Sequence, residues 1–274
     1  MISIASFLFK LTFAFCALSV LAYLLSLLIK KVVLAKVATW ILVFAFFLLT
    51  GNLLPAVFNP AGLMSIASRD FFTFCAWSVA AAYLVFQFKT KTRILGAFVS
   101  PIILLLLIIA AGTAADKSLV PADLRSWLTF AHLIPTIGGE ALFVIASCAG
   151  AMFLIQNSSL KHKKLSALGR LLPSLHDLDR INHHGLLWGF LLLTLGIFAG
   201  AAFAVSAWDK GWPTDPKIIW TFAVWVTYGF LLHQRLAIGW RGARMALLSC
   251  AVFIIFLFSY LAVKICFATV HNFI

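Results

Sequence analysis

The chain has 274 residues, 64% of them hydrophobic and only 11% charged, with a formal net charge of +13 and a mean hydropathy of +1.08. A soluble domain averages about 25% charged residues and cannot bury this much apolar surface, so a water-soluble globular fold is excluded. In a bilayer protein, positive charge reports topology rather than nucleic-acid binding.

A membrane span needs about 20 mainly apolar residues. Eight runs qualify: 2–29, 37–57, 71–88, 94–114, 127–155, 185–207, 217–237 and 243–268. The fold class expected is therefore all-α, a polytopic membrane helical bundle of about eight transmembrane helices. The first run ends at Lys30-Lys31 and has no small-residue cleavage site after a basic start, so it is read as a retained helix, not a signal peptide. Lys10 within it is expected to snorkel or to face another helix.

Residues 1–126 form an N-terminal region of four spans with no histidine and nothing that carries a reaction. Pro55, Asn59-Pro60 and Gly62 mark an outer loop by turn chemistry, and Arg69-Asp70 opens the next helix. Most of the 21 Lys and Arg residues fall in the connections after spans 1, 3, 5 and 7. The positive-inside rule then places those connections in the cytoplasm and both termini outside. Cys16, Cys75, Cys148, Cys250 and Cys266 are never spaced as C-x-x-C, which argues against a thiol relay, a zinc ribbon or a covalent c-type haem site. They read as small buried membrane residues.

Residues 127–274 carry the chemistry. Span 5 begins with Trp127 and His132 near the outer face and runs through Gly138-Gly139-Glu140. Glu140 is an acid inside a span and so a functional candidate; a protonated or hydrogen-bonded glutamate holding helices together is the alternative. It lies about 12 Å deeper than His132 and about 80° round the helix, so the two need not share a site. Residues 157–184 read as one long cytoplasmic segment, in which Leu165, Leu168, Leu171 and Leu172 repeat at helical spacing beside basic residues. That pattern suits an amphipathic helix on an anionic membrane surface. His162 and His176 are expected to be solvated, while His183 and His184 open span 6 where a cytoplasmic ligand could enter.

The sequence departs furthest from its own composition at Trp208–Trp220, WDKGWPTDPKIIW, a polar, tryptophan-rich hairpin on the outer side. An interfacial aromatic belt explains tryptophans at that depth but not the Asp-Pro-Lys. Trp225, Gly229 and His233 in span 7 are spaced by four and lie along one helix stripe, a slot for a flat aromatic ligand. Span 8 leads to Lys264 and to His271 outside. His132, the hairpin and His271 converge on one face. Two imidazoles flanking an aromatic platform suit haem, with Lys210 and Lys217 placed for its propionates. His233 lies toward the cytoplasmic end and cannot belong to the same site.

From about Leu154 to His271 the chain resembles the CcsA/HemX group of cytochrome c assembly membrane proteins. The family's tryptophan-rich hairpin is similar to Trp208, Trp212, Asp215, Pro216, Lys217 and Trp220. Its two external histidines are matched by His132 and His271, and its membrane histidine by His233 in HQRLAIGWRG. The fullest motif differs at Asp209, Thr214 and Ile218. The resemblance implies a haem-binding protein of cytochrome c biogenesis in a bacterial-type cytoplasmic (inner) membrane. It would hold non-covalent haem b at His132 and His271, with His233 as a second haem-iron site and Trp225 beside it. Haem would move outward and be presented to apocytochrome c. Membrane lipid, haem, a CcsB/ResB-like membrane partner and apocytochrome c are the partners implied, and no nucleic acid. With no P-loop and no nucleophile–base pair, the chain is at most a component of a haem lyase system. A HemX-like regulator of haem-biosynthesis enzymes, acting through 157–184, and a haem-carrying subunit of a respiratory assembly are the alternatives.

Overall fold

A computed structural model of the chain describes residues 4–58, 68–90, 92–113, 127–162, 172–207 and 214–267. Lipid offers no partner for backbone N–H and C=O groups, so a chain this apolar must satisfy them within helices. Among the described residues the result is wholly helical: α1 (Ile4–Ile29), α2 (Val32–Phe58), α3 (Ser68–Thr90), α4 (Gly96–Gly112), α5 (Trp127–Lys161), α6 (Leu175–Ala207), α7 (Pro216–Leu236) and α8 (Ala243–Cys266). Each of the eight expected spans falls on one of these helices. Six of them, α1 to α6, are long and apolar enough to cross a membrane. In α8 the apolar stretch described is the shorter Ala243–Ser259, and α7 carries Lys217, His233, Gln234 and Arg235 near its ends.

One expectation needs correction. Residues 157–184 are not one long connection: α5 continues to Lys161 and α6 already begins at Leu175. His176, His183 and His184 are thus helical residues. Leu165, Leu168 and Leu171 lie outside the described residues.

The helices form two compact units, residues 1–120 with 158–174, and residues 121–157 with 175–274. In the first, Tyr23 Oη meets Thr39 Oγ1 at 2.9 Å and Tyr83 Oη at 2.7 Å, joining α1, α2 and α3. A methyl on Gly96 would stand 2.5 Å from both tyrosine hydroxyl oxygens, so only glycine lets α4 approach this network. Trp77 stacks against Phe46 and Phe74 and donates to Thr50 Oγ1. The Arg69 guanidinium, at the start of α3, sits 3.9 Å from the Phe9 ring centroid. Lys10 is exposed, not packed against another helix.

The second unit is built on close contact between α5 and α6. A methyl on Gly185 would lie 2.9 Å from Leu142 O, and one on Gly139 2.8 Å from Gly189 O. Small residues let membrane helices pack backbone to backbone, where dispersion replaces the missing hydrophobic drive. Phe143 and Tyr228 stack at 3.6 Å and 1°, inside a cluster with Leu186, Leu193, Val224 and Met245. Asn182 Nδ2 donates to Ala146 O and Ser249 Oγ, tying α6 to α5 and α8.

Candidate functional site

At the start of α7, Asp215 is extended (φ −62°, ψ 129°) and its carboxylate accepts from the N–H groups of Lys217 at 2.9 Å and Ile218 at 3.4 Å. Pro216 follows at the first helical position. An aspartate N-cap before a proline is a strong helix start. The Asp-Pro of the hairpin therefore fixes where α7 begins, and with it where Lys217 stands. Three residues later, Trp220 Nε1 donates to Ser259 Oγ at 2.7 Å, and its ring stacks on Phe256. One turn deeper, Trp225 Nε1 donates to Thr194 Oγ1 at 2.9 Å and its ring lies against Phe190 and Phe222. These two indoles bind α7 to α8 and to α6.

His132, in the second turn of α5, is half-buried. Its Nδ1 lies 2.7 Å from the carbonyl of Gly196 on α6. A carbonyl only accepts, so Nδ1 carries the proton and Nε2 keeps its lone pair. The ring occupies space that α6 leaves open: a methyl on Gly200 would stand 2.6 Å from Nδ1 and 2.8 Å from Cε1. Glu140, about two turns further along α5, is half-buried. Tyr228 Oη is buried and has no hydrogen-bond partner among the described residues. Trp208, Trp212, Lys210 and His271 lie outside the described residues.

Residues 67–271 match the family described as Cytochrome C assembly protein. The chain belongs to that family. Among its relatives are proteins named cytochrome c biogenesis protein CcsA. Those from Prochlorococcus marinus strains MIT 9215 and MIT 9312 are 30% and 31% identical, each match covering 73% of this chain and 72% of the relative. The one from Synechocystis sp. is 26% identical, over 100% of this chain and 98% of its own length. The family match reaches upstream of Leu154 to α3, beyond the region in which sequence motifs alone carry the resemblance.

The rest of this cytochrome c assembly protein's candidate residues separate by position. His233 is exposed on α7, beside the buried Gln234 and Arg235. The slot expected between Trp225 and His233 is filled from α6, because a methyl on Gly229 would meet the Phe190 ring at 3.3 Å. At this end of α7, Arg235 reaches the beginning of α6. Its Nη2 donates to Asp179 Oδ2 at 2.6 Å and its Nη1 to Asp179 Oδ1 at 3.2 Å, while Gly242 N–H donates to the same carboxylate at 3.0 Å. Gly239 and Gly242 supply the positive φ angles (81° and 67°) that turn the chain from α7 into α8. Sequence reading missed this clasp. The i, i+4 glycine pairs of α6, Gly185/Gly189 and Gly196/Gly200, are the signal that could have located the α5–α6 seam and the seat of His132.

Proposed function

We propose that the chain holds haem b non-covalently as a cargo and presents it on the outer face of a bacterial-type cytoplasmic membrane to apocytochrome c. His132 carries this reading. Histidines that ligate metals commonly donate their other ring N–H to a carbonyl, which fixes the tautomer and the ring plane. His132 has that arrangement, with Gly196 as its acceptor and Gly200 as its clearance. Haem iron takes axial imidazoles, and His271 is the second ligand proposed here. Lys217, at the head of α7, serves a propionate, while Trp208 and Trp212 offer indole faces. Asp215 acts through Lys217 by setting the start of α7. Trp220 and Trp225 are fasteners of the wall behind the site, since both indole N–H groups are engaged by neighbouring helices.

His233 would serve a second, inner haem position. It is exposed, and residues 1–126 contain no histidine to pair with it, which favours a ligand supplied by a CcsB/ResB-like membrane partner. The experiment is cytochrome c maturation in cells whose sole copy carries His132→Ala, read by covalent haem staining. Ile134→Ala, an exposed neighbour in the same turn, is the control. Loss of stained cytochrome in the first alone is expected. Normal staining with His132→Ala refutes the proposal.

A further inference from the structure

A cavity of about 350 Å³ opens at the end of the second unit opposite His132, lined by His176, Asp179, Arg180, His183, Arg235 and Arg241, with Leu236 at its edge. Its charge is unbalanced. The lone carboxylate, Asp179, is already satisfied by both Nη atoms of Arg235 and by Gly242 N–H. Arg180 and Arg241 are exposed and enter no ion pair among the described residues. His183 Nδ1 is buried without a hydrogen-bond partner. The first turns of α6 also form part of the wall, so the positive end of that helix adds to the field. Beside this basic cup the surface turns apolar: Leu236 is 62% and Ile238 56% exposed.

We infer that this cavity binds the phosphate headgroup of an anionic phospholipid, with an acyl chain lying along Leu236 and Ile238. Guanidinium groups match phosphate oxygens in paired geometry, and basic pockets between membrane helices on their positive side are built for such headgroups. A free phosphate would use the arginines but has no use for the apolar lip. The Asp179–Arg235 clasp is the rigid wall, and Arg180 and Arg241 are the binding cations. The site lies at the opposite end of the unit from His132.

The test is native mass spectrometry of the full chain in neutral detergent, titrated with phosphatidylglycerol, with phosphatidylcholine of the same acyl chains, or with inorganic phosphate. The wild type is expected to bind one phosphatidylglycerol in preference to phosphatidylcholine, and millimolar inorganic phosphate is expected not to displace it. Arg180→Ala with Arg241→Ala, which leaves the clasp untouched, is expected to weaken that binding by about thirtyfold. Should the double variant not fold, Arg241→Ala alone carries the same expectation with a smaller loss. Unchanged phosphatidylglycerol binding in the variants, equal retention of phosphatidylcholine, or displacement by inorganic phosphate would each overturn the assignment.

Discussion

Gly200→Ala is the sharpest probe of how His132 is held, because it adds a methyl group without touching the imidazole. That methyl would stand 2.6 Å from Nδ1 and 2.8 Å from Cε1. Ordinary carbon contacts are about 3.5–4.0 Å, so the ring must withdraw by about 1 Å or α6 must tilt away. Either movement stretches the 2.7 Å bond between Nδ1 and Gly196 O beyond hydrogen-bond length. Overpacking of this kind costs about 1–3 kcal/mol. Loss of the carbonyl that orients a metal-ligating histidine typically lowers metal affinity about 10–100-fold. Haem titration of the detergent-purified protein, followed by absorbance, should therefore show about 10–100-fold weaker binding in Gly200→Ala. Gly112→Ala, where a methyl meets nothing within 4 Å, should bind as the wild type does. Identical titrations for Gly200→Ala and wild type would refute the view that this seat positions the ligand.

Other outcomes follow from the same geometry. Asp215→Ala should lower stability by about 1 kcal/mol through loss of the α7 cap, read by thermal melting, whereas Asp215→Asn should cap nearly as well; equal losses would show that the charge, not the cap, matters. Arg235→Gln leaves Asp179 without its cation at a site where the arginine side chain is only 6% exposed. It should destabilise by on the order of 3 kcal/mol, and a melting temperature equal to wild type would contradict the clasp. Trp220→Phe keeps a ring against Phe256 but removes the bond to Ser259. A loss of about 0.6 kcal/mol, usual for such membrane hydrogen bonds, with haem binding retained, is expected in melting and titration.

Much of this architecture was legible because hydropathy and helix length are coupled in lipid. Each apolar run of the required length became a helix, and Ser68–Asp70 starts α3 where Arg69-Asp70 suggested. The failure at 157–184 has the same origin. Loss of hydrophobicity marks where the chain leaves the hydrocarbon, not where its backbone stops being helical. The polar stretches Asn157 to Lys161 and Leu175 to His184 stay helical. Side-chain partnerships were the illegible part. Asp215 drew attention as an unexplained acid, and its role as a cap needed the backbone angles of α7. Arg235 and Asp179, 56 positions apart, gave no local sign of their pairing. The glycines of α6 were visible, but only α5 beside them shows that they make room for His132.

The central claim, that His132 is a haem ligand on the outer side, is tested most directly by the absorption spectrum of the purified protein. Wild type would be compared with His132→Ala, His271→Ala and His233→Ala after reconstitution with haem. Loss or shift of a low-spin haem band in the His132 and His271 variants, with that outer signal kept in His233→Ala, is the predicted result. A band that persists unchanged in His132→Ala and disappears only in His233→Ala would contradict it.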